Sequence, residues 1–179
     1  MSNRIEELKL IAQCIATDNR EAFSKLVTLH SASLRRFVLN LTGGDYYLTD
    51  DIAQDTFLKA WMGIKSFRRI SGFRTWLFRI AINEYVSYRR KSHDNVYIDS
   101  LTSVPPELAE HCPHSNTETE YDVKAAIGVL SDAERIVTLL FYLEDMPLKQ
   151  ICKITELPEG TVKSHLSRAR KKMHKFLIR

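Results

Sequence analysis

Residues 147–173 read PLKQICKITELPEGTVKSHLSRARKKM. Pro147 and Pro158 each suit the start of a helix, where the fixed φ is pre-organised and the missing N–H is not needed. Leu148, Ile151 and Ile154 recur at helical spacing after the first proline, and Val162, Leu166, Ala169 and Met173 do so after the second. A tight turn near Glu156 and Leu157 joins them, and two short helices joined in this way form a helix-turn-helix. In that motif the second helix enters the major groove of DNA with its N-terminal residues on base edges. Lys163, Ser164, Ser167 and Arg168 point outward and can read bases, while Arg170, Lys171 and Lys172 sit where phosphates flank the groove. The plain alternative is a basic amphipathic surface helix that touches no DNA.

Upstream of this motif, Ser131 followed by Glu134 is a capping-box signature. It opens a nearly all-round apolar helix (Ile136, Val137, Leu139, Leu140, Phe141, Leu143) that belongs in a core. At the other end of the chain, Leu8, Ile11, Ala12 and Ile15 predict a first helix, and Asp18 with Glu21 predicts the cap of a second. Phe23, Leu26, Val27, His30, Leu34, Phe37, Val38 and Leu41 continue that face until Gly43 and Gly44 end it. Thr49 is the expected cap of a third helix, with Asp50 and Asp51 at the positive end of its dipole. No stretch alternates apolar and polar residues long enough to demand a strand. The expected fold is all-α: two small helical domains joined by a flexible acidic linker, the second a helix-turn-helix domain.

Charge divides the chain at the same places. The 26 bases and 22 acids leave a net charge of only +4. Residues 65–91, however, hold Lys65, Arg68, Arg69, Arg74, Arg79, Arg89, Arg90 and Lys91 against the single acid Glu84. Residues 92–123 hold seven acids, no Lys or Arg, and Pro105, Pro106 and Pro113, the composition of a solvated tether. Residues 158–179 are basic again, with Glu159 their one acid. Two basic surfaces separated by an acidic tether suit a polyanion gripped twice.

The first basic block is also aromatic. Phe67, Phe73, Trp76, Phe78, Tyr85 and Tyr88 are interleaved with its arginines. Flat rings beside guanidinium groups are what unstacked bases bind, although Phe73, Leu77, Ile80 and Ala81 also have the spacing of a core face. In the expected helix from Thr49 to Ile64, the residues Ile52, Ala53, Thr56, Phe57, Ala60 and Ile64 share an inner face. Asp51, Gln54, Asp55, Leu58 and Met62 form a second, acidic stripe with apolar members, which suits a protein partner.

Several function classes are disfavoured. The longest apolar run is Leu139 to Leu143, far short of the roughly 18 residues of a membrane helix. The N-terminus lacks the apolar core of a secretory signal, so the chain is expected in the cytoplasm. Cys14, Cys112 and Cys152 are widely spaced and expected to be reduced. His111, Cys112 and His114 resemble part of a metal cluster but have no fourth ligand at matching spacing. No phosphate loop, nucleophile elbow or catalytic carboxylate pair is visible, so neither enzymatic activity, nor a metal, nor a cofactor is expected.

With these residues in view, the chain resembles the group-four, or extracytoplasmic-function (ECF), sigma factors of the sigma-70 class. Asp50 to Trp61, DDIAQDTFLKAW, resembles the family's segment that docks on the clamp-helix coiled coil of the largest RNA polymerase subunit. Phe73 to Asn83, FRTWLFRIAIN, is similar to the segment that melts and reads the minus-ten promoter element. Gly160 to Arg170, GTVKSHLSRAR, looks like the minus-thirty-five recognition helix and adds Thr161 to its candidate residues.

The resemblance implies a first domain over 1–91, a linker over 92–118 and a second domain over 119–179. It implies polymerase docking through Asp51, Gln54, Asp55, Leu58 and Met62. Minus-ten binding would fall to Arg68, Arg69, Phe73, Arg74, Trp76, Arg79, Asn83, Arg89 and Arg90. The implied partners are core RNA polymerase, promoter DNA and an anti-sigma protein that holds the two domains together. Ser87 stands where the family often has aspartate, Cys152 where it often has alanine, and Glu156 where it often has a turn glycine. A non-glycine residue pays a penalty in the left-handed region at that turn. Thr161 to Leu166 also resembles the helix of two-component response regulators, which leaves open an autonomous regulator that binds duplex DNA alone. That alternative gives the aromatic block and the acidic stripe no role.

Overall fold

The computed structural model describes residues 2–68, 71–96 and 118–178, and every regular element among them is helical. In chain order these are α1 (Ser2–Thr17), α2 (Arg20–Leu41), α3 (Tyr46–Gly63), a 3-10 turn at Ile64–Ser66 and α4 (Phe73–Val96). There follow α5 (Glu118–Gly128), α6 (Asp132–Thr138), a π-helical turn at Leu139–Leu143, α7 (Leu148–Thr155) and α8 (Glu159–Leu177). The all-α expectation holds. Arg69, most of the expected linker, and the His111, Cys112 and His114 group lie outside the described residues.

The first half is built on α2. Its apolar stripe of Phe23, Leu26, Leu34, Phe37, Val38 and Leu41 is buried against α3 and α4, with the Phe37 and Phe78 rings 4.9 Å apart. Burying each of these side chains stabilises the fold by about 1.5–3 kcal/mol. Gly43 and Gly44 adopt φ of 75° and 100°, and the Gly44 N–H donates to the Leu39 carbonyl at 2.8 Å, ending α2 as expected. Gly63 serves a different purpose. A Cβ there would lie 3.3 Å from the Trp76 ring, so its absence lets the indole lie against the end of α3.

Three sequence expectations for this half shift by a few residues. In α1 the buried residues are Leu10, Ile11 and Cys14, while Leu8 and Ala12 face solvent. The helix packs along a narrow line against α2 and the 3-10 turn, which selects a different stripe from the one its spacing suggested. The cap of α2 is Asn19, not Asp18: the Asn19 side chain accepts from the Ala22 N–H at 3.0 Å. Asp18 sits in the left-handed region and pairs with Lys65 at 2.6 Å. Helix α3 starts a turn before Thr49, capped by Asp45, whose carboxylate accepts from the Leu48 N–H at 2.9 Å. Thr49 is buried inside the helix, and its hydroxyl donates back to the Asp45 carbonyl at 2.5 Å and lies 3.0 Å from the Thr42 hydroxyl, so it ties the helix start to the end of α2 instead of capping it.

In the second half, Ser131 and Glu134 form the predicted capping box. The apolar helix that follows does not run regularly: after Thr138 it widens into the π turn, where the Glu144 N–H donates to the Leu139 carbonyl at 3.1 Å. Leu139 and Leu140 stay buried, and Glu144 is carried into the interior with them. Ile151, Ile154, Val162, Leu166 and Ala169 close the helix-turn-helix core. Glu156 is the left-handed turn residue, with φ 59° and ψ 18°. The halves also pack on each other, α4 against α7 and α2 against the π turn.

Candidate nucleic-acid interface

Helix α8 turns its core face, Val162, Leu166 and Ala169, inward, so its other residues are presented as a set. Lys163, Ser164, Arg168, Arg170, Lys171 and Lys172 are exposed, and Thr161 and Ser167 are half-buried. Lys163 pairs with Glu159 one turn back at 2.6 Å, and the Ser164 hydroxyl donates to the Gly160 carbonyl at 2.9 Å. Two of the candidate DNA residues also have partners inside the domain. Lys172 donates to Glu134 at 2.7 Å, and Arg168 lies 3.7 Å from the same carboxylate and donates to His165 Nδ1 at 3.2 Å. Burial alone would raise the Glu134 carboxyl, but the Lys172 ammonium and the Ser131 backbone and hydroxyl outweigh it and hold it down at about 2. Glu134 therefore fixes both the start of α6 and the pose of α8.

Helix α4 divides the minus-ten candidates by depth. Phe73 is 3% exposed, locked between His30, Phe67 and Trp76 at ring distances of 5.2, 5.9 and 5.7 Å. It cannot stack on a base without leaving the core, which corrects its assignment as a DNA contact. Trp76 is half-buried over Phe67. Arg68, Asn83, Arg89 and Arg90 are exposed, and Arg74 and Arg79 partly so. Arg74 and Arg79 pair with Glu144 and Glu156, and Arg89 lies 3.4 Å from Asp132. Asp132 also accepts the Tyr85 hydroxyl at 3.0 Å, and burial together with this carboxylate pushes the Tyr85 phenol up.

On α3 the five candidate partner residues share one open face. Asp51, Gln54 and Asp55 are exposed, Leu58 is 50% and Met62 71% exposed, and the opposite face of Ile52, Ala53, Thr56 and Ala60 is buried. The core thus has no use for this stripe.

The family model "Sigma-70 region 2" matches residues 26–94, and "Sigma-70, region 4" matches residues 121–173. The ECF RNA polymerase sigma-E factor of Haemophilus influenzae is 31% identical over 133 residues, covering 67% of this chain and 69% of that protein. The chain belongs to the ECF sigma factors of the sigma-70 family. The ECF RNA polymerase sigma factor SigW of Bacillus subtilis is 27% identical over 175 residues, covering 89% of this chain and 90% of that protein. Among solved structures, the sigma factor RpoE of Bartonella quintana in complex with the anti-sigma factor NepR superposes with a TM-score of 0.76. Its identity is 29%, covering 87% of this chain and 96% of that one. CnrH in complex with the cytosolic domain of CnrY shares the fold with a TM-score of 0.68, at 24% identity. As a sigma factor, the chain acts in promoter recognition and transcription initiation by RNA polymerase, and the autonomous regulator is not favoured. No helix among the described residues is long and apolar enough to cross a membrane.

Sequence reasoning missed Glu144 and Asp132 as partners of the candidate cations, Arg36 as a second cation beside Glu144, and the contact of the capping residue Glu134 with α8. The capping box was a usable signal for Glu134, because a glutamate at that position is pinned beside whatever helix packs on it. Nothing local marks Glu144, whose partners lie 70 or more residues away.

Proposed function

We propose that this sigma factor divides its work among three helices. The Asp51, Gln54, Asp55, Leu58 and Met62 face of α3 docks on the clamp helices of the largest polymerase subunit. Helix α4, with Arg74, Trp76, Arg79, Asn83, Arg89 and Arg90, captures the opened minus-ten strand together with Arg68 and Arg69 of the preceding sequence. Helix α8 reads the minus-thirty-five element: Thr161, Lys163, Ser164, Ser167 and Arg168 lie toward base edges, Arg170 and Lys171 toward phosphates, and Lys172 links α8 to Glu134. The observation that carries this reading is the α3 face, where two apolar and two acidic side chains stand open beside a fully packed inner face.

The functional units are a region 2 domain over 1–91 and a region 4 domain over 119–179, joined by residues 92–118. The protein works in the cytoplasm, where RNA polymerase is, and adds no catalysis of its own: the phosphodiester chemistry belongs to the polymerase. An anti-sigma protein regulates it, a reading supported by the likeness to RpoE, solved in complex with the anti-sigma factor NepR. Reconstitution with core polymerase, followed by sequencing of transcript starts, tests the whole scheme. A shared two-element motif upstream of the starts is expected. Starts identical to those of core polymerase alone would overturn it.

A further inference from the structure

Along α4, the cations proposed to hold promoter DNA already hold carboxylates of the other half. Arg74 pairs with Glu144 and donates a second hydrogen bond to the Glu144 carbonyl at 3.2 Å, while Arg36 of α2 approaches the same carboxylate at 3.5 Å. Arg79 pairs with Glu156. Arg89 lies 3.4 Å from Asp132, which also accepts the Tyr85 hydroxyl at 3.0 Å. The Glu144 side chain is 0% exposed although Arg74 keeps 40% of its own exposure, so this carboxylate depends on the guanidinium groups of the first half. Between the pairs, α4 faces α6 and α7 across a cleft of about 270 Å³, lined by Ile82, Asn83, Val86, Ile136 and Ile154. A guanidinium fork receives a carboxylate and a phosphate in the same geometry.

We infer that Glu144, Asp132 and Glu156 form an intramolecular latch that stands in for DNA on α4, so that closure of the two halves and capture of the minus-ten strand exclude each other in the free chain. This rests on the reading of α4 as the strand-binding helix. Because only open molecules bind, the apparent affinity of the free protein for single-stranded DNA is its intrinsic affinity reduced by the open fraction.

The test uses the full-length protein carrying Asp132→Asn, Glu144→Gln and Glu156→Gln. Small-angle scattering reads closure, and anisotropy of a labelled mixed-sequence single strand of roughly 12 nucleotides reads DNA binding. The expected result is a larger radius of gyration together with a gain in DNA affinity of about fivefold or more. Should Glu144→Gln disturb folding, as circular dichroism would reveal, Asp132→Asn with Glu156→Gln alone carries the same test, with a gain of about twofold. Unchanged scattering, or opening without a gain in affinity, overturns the latch. Failure of the underlying reading has its own signature: adding Arg79→Ala and Asn83→Ala to the opened protein would then leave DNA binding unchanged.

Discussion

The Lys172 ammonium of α8 lies 2.7 Å from the Glu134 carboxylate of α6, a group that also closes the capping box with Ser131. A cation on the recognition helix is thus committed to holding that helix in place. Its loss acts through the pose of α8, whereas under the proposed reading loss of the exposed Arg170 or Lys171 removes a phosphate contact.

Glu134 makes stability pH-dependent at the acid end. Its folded-state carboxyl is held down at about 2 against an ordinary 4.5, so its contribution is fully present above 4.5 and is lost as pH falls toward 2. Urea midpoints measured from pH 6 downward should fall more steeply for the native protein than for Glu134→Gln. At neutral pH, Glu134→Ala should cost about 2 kcal/mol through the lost cap and ion pairs. Parallel pH profiles would refute the assignment.

On α3, changing Asp51 and Asp55 to Lys should abolish pull-down of core polymerase while leaving the thermal midpoint nearly unchanged, because both side chains are exposed. Retained binding by the double variant would remove this face from the docking surface.

Depth on α4 separates stability from strand capture. Phe73→Ala should destabilise the fold by about 3–5 kcal/mol. Asn83→Ala, at an exposed position, should change stability by less than about 0.5 kcal/mol yet reduce permanganate-reactive melting by the holoenzyme. Full melting by a folded Asn83→Ala variant would count against strand contact there.

For α8, Arg168→Ala should cost about 1–3 kcal/mol on the cognate minus-thirty-five element and relax preference at one base. Lys171→Ala should weaken all sequences alike and lower the salt slope by roughly one counterion. Holoenzyme affinity across single-base promoter variants at several salt concentrations distinguishes them. A uniform loss for Arg168→Ala would make that residue a phosphate contact.

Glu156→Gly should relieve the left-handed backbone by about 1 kcal/mol, raising the thermal midpoint by roughly 2–4 °C. A lower midpoint would mean that the pair with Arg79 contributes more than the strain costs.

What the sequence made legible was local. Ser131 with Glu134, Gly43 with Gly44, and the Pro-led starts of α7 and α8 declare themselves because each feature satisfies its own neighbours. Thr49, Asp50 and Asp51 look like a cap from their residue types alone. Asp45 takes that role because the chain leaves the glycine pair one turn earlier. The stripe of α1 was misread because one line of contact chose between adjacent apolar sets. The pairs of Arg74 with Glu144 and of Tyr85 with Asp132 span 70 and 47 residues, and no periodicity encodes a meeting at that separation.

Glu156 occupies the elbow between α7 and α8 and at the same time reaches across to Arg79 of α4. Only Leu157 and Pro158 separate it from the first residue of α8. A tug on its side chain therefore acts on a very short crank: displacement of α4 translates into torque on the elbow and a change in the inclination of the reader helix. In the closed chain the two halves are in this way geared to each other through a single residue held in the left-handed region, and parting of the halves would release the elbow from α4.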